Sequence, residues 1–90
     1  MISVDSYGWV ERLTNGSKAP AYNRVIDKVK PSNIITSSII LYEVYKRIKF
    51  IKDEQKALEA IATIGQTLVI PVDQTIALEA ADYSLEHNLH

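Results

Sequence analysis

The sequence has 90 residues and a mass of 10.1 kDa, which is the size of one small domain and excludes two full ones. A hydrophobic content of 47%, a charged content of 23% and a net charge of -1 describe a globular chain without a polybasic field. The lack of cysteine excludes disulfides and thiolate chemistry, and because no apolar run or leader suggests membrane insertion, we expect a soluble, cytoplasmic protein.

The amino terminus predicts a strand, a turn and a helix. Residues 1–4 are apolar and β-branched, as in a short buried strand. Asp5 and Ser6 follow, and either can serve as the N-cap of a helix at about residues 7–13. The side chains predicted to face inward on this helix are Trp9, Val10 and Leu13.

A second helix is predicted from about Pro20, and it should end before Pro31. Its apolar residues recur at i, i+3, i+4 and i+7, the spacing of one buried face. These residues are Tyr22, Val25, Ile26 and Val29. Residues 34–36 predict the second strand, and Ser37 or Ser38 can cap the helix that follows.

The second half of the chain predicts three more helices and one strand. The third helix spans about residues 39–48. Asp53 should cap the fourth helix, and Gly65 lies at its expected C′ position. The predicted buried face of the fourth helix consists of Ala57, Leu58, Ala60, Ile61 and Ile64. A third strand at residues 67–70 precedes a last helix at about 74–87, which is capped by Asp73 and ended by Asn88.

The resulting order is β-α-α-β-α-α-β-α, in one domain covering residues 1–90. Because the strands are continuously apolar, the pattern favours a small parallel sheet of about three strands flanked by helices. The fold class is therefore α/β.

Two acidic residues follow the predicted strands, where ligands bind in open α/β sheets. Asp5 ends the first strand, and it is either the helix N-cap or a ligand pointing into the crevice. Glu43 lies just outside the buried face of the third helix, in a sector shared with Ile39 and Phe50, so we expect protein to cover this side. Its alternative role is an exposed i,i+4 ion pair with Arg47. If the two carboxylates are close, Mg²⁺ or Mn²⁺ would compensate their charge.

The remaining charged residues indicate less specific roles. Glu79, Asp82 and Glu86 are expected on a solvated face of the last helix, and His87 and His90 are poorly placed for a metal pair. The third helix carries a basic cluster that is either solvated surface or an RNA phosphate contact. This cluster consists of Lys46, Arg47, Lys49 and Lys52. Tyr42, which lies beside it, could stack on bases.

The segments Ile2–Trp9 and Thr36–Val44 together resemble the PIN-domain nucleases, specifically the VapC-type toxins, and the similarity continues through 69–73 and 77–81. The resemblance implies a metal-dependent endoribonuclease toxin that uses Mg²⁺ or Mn²⁺ and is neutralised by a cognate antitoxin. It also implies that Asp5 and Glu43 are two of four acidic metal ligands.

The other two acidic positions of that family fall beyond His90, so the sequence corresponds to the amino-terminal two-thirds of a PIN domain, incomplete at its carboxyl end. We therefore expect weak metal binding and slow or absent catalysis. A rival hypothesis is a non-catalytic module that binds an antitoxin-like partner or itself. A third is an unrelated α/β domain in which Asp5 is a cap and Glu43 forms a salt bridge. An exposed first strand and uncovered apolar residues predict a homo-oligomer or a complex.

Overall fold

The computed structural model describes residues 1–72. The predicted last helix at about 74–87, with Asp73 and the acidic and histidine residues assigned to it, lies outside the described residues. The elements in chain order are β1 (Ile2–Ser3), α1 (Ser6–Leu13), α2 (Ala19–Ile26), β2 (Ile34–Ser37), α3 (Ser38–Ile51), α4 (Glu54–Ile64) and β3 (Leu68–Ile70). A single turn of 3-10 helix at Pro31–Asn33 leads into β2.

The sheet has three parallel strands in the order β1-β2-β3. Ile2 pairs with Ile34 and Ile35 pairs with Leu68, so β2 and β3 lie on the same side of β1. The predicted α/β class with a parallel sheet and flanking helices is confirmed. Parallel strands end at one edge of a sheet, and that edge presents the residues after β1 and β2.

The core surrounds α3, which packs against β2, α1 and α4. Its buried apolar residues are Val4, Trp9, Ile26, Ile34, Val44, Ile48, Ala57, Ala60 and Ile64. Trp9 is 2% exposed, and its indole N–H has no acceptor within residues 1–72. Two predicted core residues are in fact exposed, Val25 on α2 and Leu58 on α4. Each lies at the margin of its apolar face, beyond the width that the neighbouring elements cover.

Local capping explains where three of the helices begin. Asp5, Ser37 and Asp53 each accept a backbone hydrogen bond three residues ahead, so these predicted caps are confirmed. Gly65 caps α4 with a φ of -60°, so it does not adopt the left-handed conformation expected of a C′ glycine. Among residues 1–72, the left-handed conformation occurs at Asn15, with a φ of 54°, in the loop between α1 and α2.

A buried pair of threonines links β2 to the segment before β3. The hydroxyls of Thr36 and Thr67 lie 2.7 Å apart, and the Thr67 hydroxyl also donates to the Ile64 carbonyl at 2.7 Å. Both hydroxyls are therefore satisfied inside the core. In the part of the chain that the structure describes, no helix has the length and apolar character needed to cross a membrane.

Candidate functional site

Asp5 lies immediately after β1 and is itself the N-cap of α1. Its Oδ1 accepts a hydrogen bond of 2.7 Å from the Gly8 backbone N–H, and Ser6 is the first residue of the helix. The two roles considered for Asp5 do not exclude each other, because a carboxylate has a second oxygen and this side chain is exposed. Asp5 borders a groove of about 450 Å³ between β1 and α2, called the β1–α2 groove, whose lining also includes Ser3, Val4, Ala21, Tyr22 and Val25.

Glu43 lies on the second turn of α3 and borders a different groove. This α1–α3 groove has a volume of about 400 Å³ and is lined by Ser6, Tyr7, Val10, Glu11, Thr14, Glu43, Arg47 and Ile51. The expectation that protein covers this side of the helix is wrong for the described structure. Glu43 and Ile39 are exposed, and Phe50 is 85% exposed. Phe50 follows the buried Ile48 by two residues, which places it about 200° around the helix from the core face.

The two candidate carboxylates line different grooves. Asp5 borders the β1–α2 groove, whereas the next residue, Ser6, lines the α1–α3 groove together with Glu43. The convergence of Asp5 and Glu43 to within about 4 to 8 Å, the span of one hydrated divalent ion, stays a prediction. Within residues 1–72, no three His, Asp or Glu side chains come together in a way that could hold a metal ion.

The alternative role of Glu43, an ion pair with Arg47, is not formed. The ion pairs within the described residues join Arg12 to Asp27 and Lys56 to Glu59. Glu43 and Arg47 instead line the same groove with their charges apart. Within residues 1–72, neither group has an ion-pair partner.

Sequence reasoning missed Tyr7 and Glu11, which face each other on α1 at i and i+4. The Glu11 carboxylate accepts a hydrogen bond of 3.1 Å from the Lys18 N–H, and it fills the space that a side chain at Gly16 would need. Hydrogen bonding to this carboxylate is the largest cause that raises the pKa of Tyr7 above its ordinary 10.0. The i,i+4 spacing of Tyr7 and Glu11 could have been recognised in the sequence. The contacts of Glu11 with Gly16 and Lys18 could not, because they depend on how the loop folds.

Tyr7 also contacts a second aromatic residue. The rings of Tyr7 and Tyr22 meet edge to face, with centroids 6.2 Å apart and planes at 64°. Tyr22 packs tightly against the first turn of α1, because a β-carbon at Gly8 would lie 2.7 Å from its ring. Gly8 therefore permits this approach.

The predicted basic cluster is exposed along α3. Lys46, Arg47 and Lys49 line a surface groove of about 490 Å³ together with Tyr42 and Phe50. The Lys46 Nζ lies 6.0 Å from the centroid of the Tyr42 ring, and the Lys49 Nζ lies 5.6 Å from that of Tyr45. Lys52, the last member of the cluster, is also exposed. Cations interleaved with exposed rings are typical of surfaces that bind single-stranded nucleic acid.

The three parallel strands, the helices between them and the acidic residues after β1 and β2 define an α/β fold of the PIN type, as the sequence resemblance implied. Among solved structures, the chain is similar to the crystal structure of Mycobacterium tuberculosis VapC20, a sarcin-ricin loop cleaving toxin. The TM-score is 0.78 at 19% sequence identity, over 97% of this chain and 68% of that one. This similarity shows a VapC-like fold. No protein-family model and no curated protein sequence matches the chain.

Proposed function

We propose that the protein is a metal-dependent endoribonuclease scaffold of the toxin–antitoxin type, with low catalytic competence where Asp5 and Glu43 alone hold the metal. The observation that supports this most is the similarity of its fold to a toxin that cleaves the sarcin-ricin loop. A carboxylate after β1 and another on the helix after β2 are consistent with this activity, because parallel strands bring their carboxyl ends to one edge.

The metal would be held by Asp5 and Glu43. Both are exposed carboxylates, and Mg²⁺ is commonly bound in proteins through one or two carboxylates together with waters and substrate phosphates. Asp5 would use the oxygen that does not cap α1. Bound Mg²⁺ or Mn²⁺ supplies a Lewis acid and a more acidic water for phosphodiester hydrolysis. Two carboxylates supply little charge and few ligands to a divalent ion, so weak binding and slow cleavage are expected.

The RNA would follow the cationic side of α3. Lys46, Arg47 and Lys49 lie on the helix that presents Glu43, and Lys52 follows at its carboxyl end, so phosphates held there would be close to the proposed metal site. A cognate antitoxin is the partner expected for such a protein, and it would dock a helix or a strand near this site.

An RNA cleavage assay with Mn²⁺ tests the proposal. We expect weak cleavage that is lost in both Asp5→Asn and Glu43→Gln, and Mn²⁺ calorimetry should show weaker binding in the same variants. Asp5→Asn keeps a side-chain oxygen for the cap, so it separates the loss of charge from the loss of the helix start. Cleavage that both variants retain would refute the assigned roles. Strong turnover by the unmodified chain would show that two carboxylates suffice or that a second copy completes the site.

The rival function, a non-catalytic interaction module, is favoured by a specific observation. Phe50, Tyr42 and Ile39 expose a large apolar area along α3, which is unusual for a surface that contacts solvent alone. A stable complex with a partner protein, combined with no Mn²⁺ binding and no RNA binding, would favour this function over the nuclease.

A further inference from the structure

The α1–α3 groove brings together side chains that can bind the different parts of a nucleotide. Arg47 offers a cation for a phosphate, Glu43 is a candidate metal ligand, and Tyr7 offers an aromatic ring. Tyr7 is 51% exposed and lies two residues after Asp5, on the first turn of α1. Tyr7 is therefore an aromatic side chain that lines the same groove as Glu43 and follows Asp5 by two residues in the chain.

The neighbours of Tyr7 hold it in place without covering it. The Tyr22 ring meets it edge to face at 6.2 Å, and the Glu11 carboxylate lies one helical turn away on the same face. Glu11 is itself held by the Lys18 N–H and by the contact at Gly16. An exposed ring that is already ordered loses little conformational entropy when a ligand stacks on it.

The two rings of the pair lie in different grooves. Tyr7 lines the α1–α3 groove with Glu43, and Tyr22 lines the β1–α2 groove with Asp5. A strand that contacts both carboxylates would enter both grooves, and each groove is lined by one ring of this aromatic pair. Unpaired RNA bases are recognised by stacking on aromatic side chains, which is worth roughly 5- to 150-fold in affinity for each base.

We propose that Tyr7 is a base-stacking residue that positions an unpaired nucleobase of RNA beside the Asp5 and Glu43 carboxylates, with Tyr22 as its support. This inference rests on the proposed ribonuclease function. Glu43 and Arg47 also line the neighbouring cationic groove of α3, where Tyr42 offers a competing platform.

The test uses the full chain and an unstructured RNA of about ten nucleotides with one 2-aminopurine, in the absence of divalent ions. We expect the 2-aminopurine emission to be quenched on binding, because stacking quenches it. Tyr7→Ala and Tyr7→Leu should each weaken binding by roughly 5- to 150-fold and restore emission, whereas Tyr7→Phe should stay within about twofold of the unmodified chain. Tyr7→Leu keeps apolar bulk, so it distinguishes stacking from packing.

Two further variants locate the contact. Gly8→Ala would place a β-carbon 2.7 Å from the Tyr22 ring and 3.0 Å from Asp5 Oδ1, and the displacement of the ring should reduce quenching partially. Leu58→Ala, on an exposed position of α4 outside both grooves, should change nothing. If Tyr42→Ala abolishes quenching and Tyr7→Ala does not, the base stacks on α3 and the inference is overturned while the ribonuclease proposal stands. If the unmodified chain binds no RNA, the proposed function fails and the inference fails with it.

Discussion

Asp5 shows at the scale of one residue how a structural and a chemical role can share a side chain. One oxygen accepts the Gly8 N–H and starts α1, which leaves the other for a ligand. The cap stabilises the helix that carries Tyr7, and the charge would serve a metal ion. A substitution at this position affects both roles unless it is chosen to separate them.

We predict that Asp5→Ala lowers the free energy of unfolding by about 0.5 to 2 kcal/mol, because the Gly8 N–H loses its acceptor. Asp5→Asn should lose less than about 1 kcal/mol, since it keeps the acceptor and gives up the interaction of charge with the helix dipole. Urea unfolding followed by circular dichroism measures both values. Equal destabilisation by the two substitutions would mean that the charge of Asp5 contributes more to stability than its capping hydrogen bond.

Tyr7 should titrate at a higher pH than an ordinary tyrosine. Hydrogen bonding to Glu11 raises the pKa of Tyr7 above 10.0, so Glu11→Gln should lower it towards that value. Ultraviolet difference titration against Tyr7→Phe isolates this one phenol. Because the folded-state pKa lies above the unfolded one, the contribution to stability is complete below about pH 10 and is lost as the pH rises through the folded-state value. An unchanged titration in Glu11→Gln would contradict the assigned contact.

At the scale of elements, α3 combines a core face, a candidate ligand and a cationic surface. Val44 and Ile48 are buried against the core, Glu43 faces the α1–α3 groove, and the lysines lie on the exposed side. One helix thus holds the proposed metal ligand and the proposed phosphate contacts in a fixed relation. This relation depends on Ser37, whose cap determines where the helix begins.

If RNA binds, the pair of substitutions Lys46→Gln and Lys49→Gln should weaken binding similarly for different RNA sequences. It should also reduce the slope of log affinity against log salt by about 1.4, since each phosphate contact on a single strand contributes about 0.7. Fluorescence anisotropy over a salt series measures this slope. Lys56→Gln, an exposed lysine on α4, is the matched control and should leave the slope unchanged. A slope that the double substitution does not change would assign these lysines to solvated surface.

The elements that the sequence predicted well are those set by local chemistry. The caps at Asp5, Ser37 and Asp53 depend on one side chain and a backbone N–H three residues away. The exposure of Val25 and Leu58 could not be predicted, because periodicity identifies an apolar face but not how much of it a neighbour covers.

The candidate site was predictable in part for the same reason. The positions of Asp5 and Glu43 after their strands follow from local patterns. The ordering of Tyr7 depends on Glu11, on the loop at Gly16 and on a ring from α2, so it requires the tertiary fold.

At the scale of the whole molecule, two elements among residues 1–72 each carry more than one exposed large apolar side chain. Tyr42, Phe50 and Ile39 lie along α3, and Leu68 and Ile70 lie on β3. Within residues 1–72, β1 pairs on one side with β2. Unpaired strand edges and apolar patches favour association, so the expectation of an oligomer or a complex remains a prediction.

We expect light scattering over a dilution series to give a mass above that of one chain, with an interface of more than about 1,500 Å². Phe50→Ser should shift the mass towards the monomer, because this side chain is 85% exposed and contributes apolar area to a contact. Leu58→Ser, an exposed leucine on α4, is the control and should leave the mass unchanged. A stable monomer at micromolar concentration would contradict the prediction.

The intrinsic fluorescence of the single tryptophan can report structural changes in the protein. Trp9 is the one tryptophan in the sequence, and it extends from α1 into the core, where it is buried. Its indole N–H has no acceptor within residues 1–72. An indole in such an apolar setting emits at short wavelength, and contact with water on unfolding shifts the emission to the red. Because α1 also carries Tyr7 and begins at Asp5, a change in this emission during a titration with RNA or Mn²⁺ would report movement of that helix without an attached label.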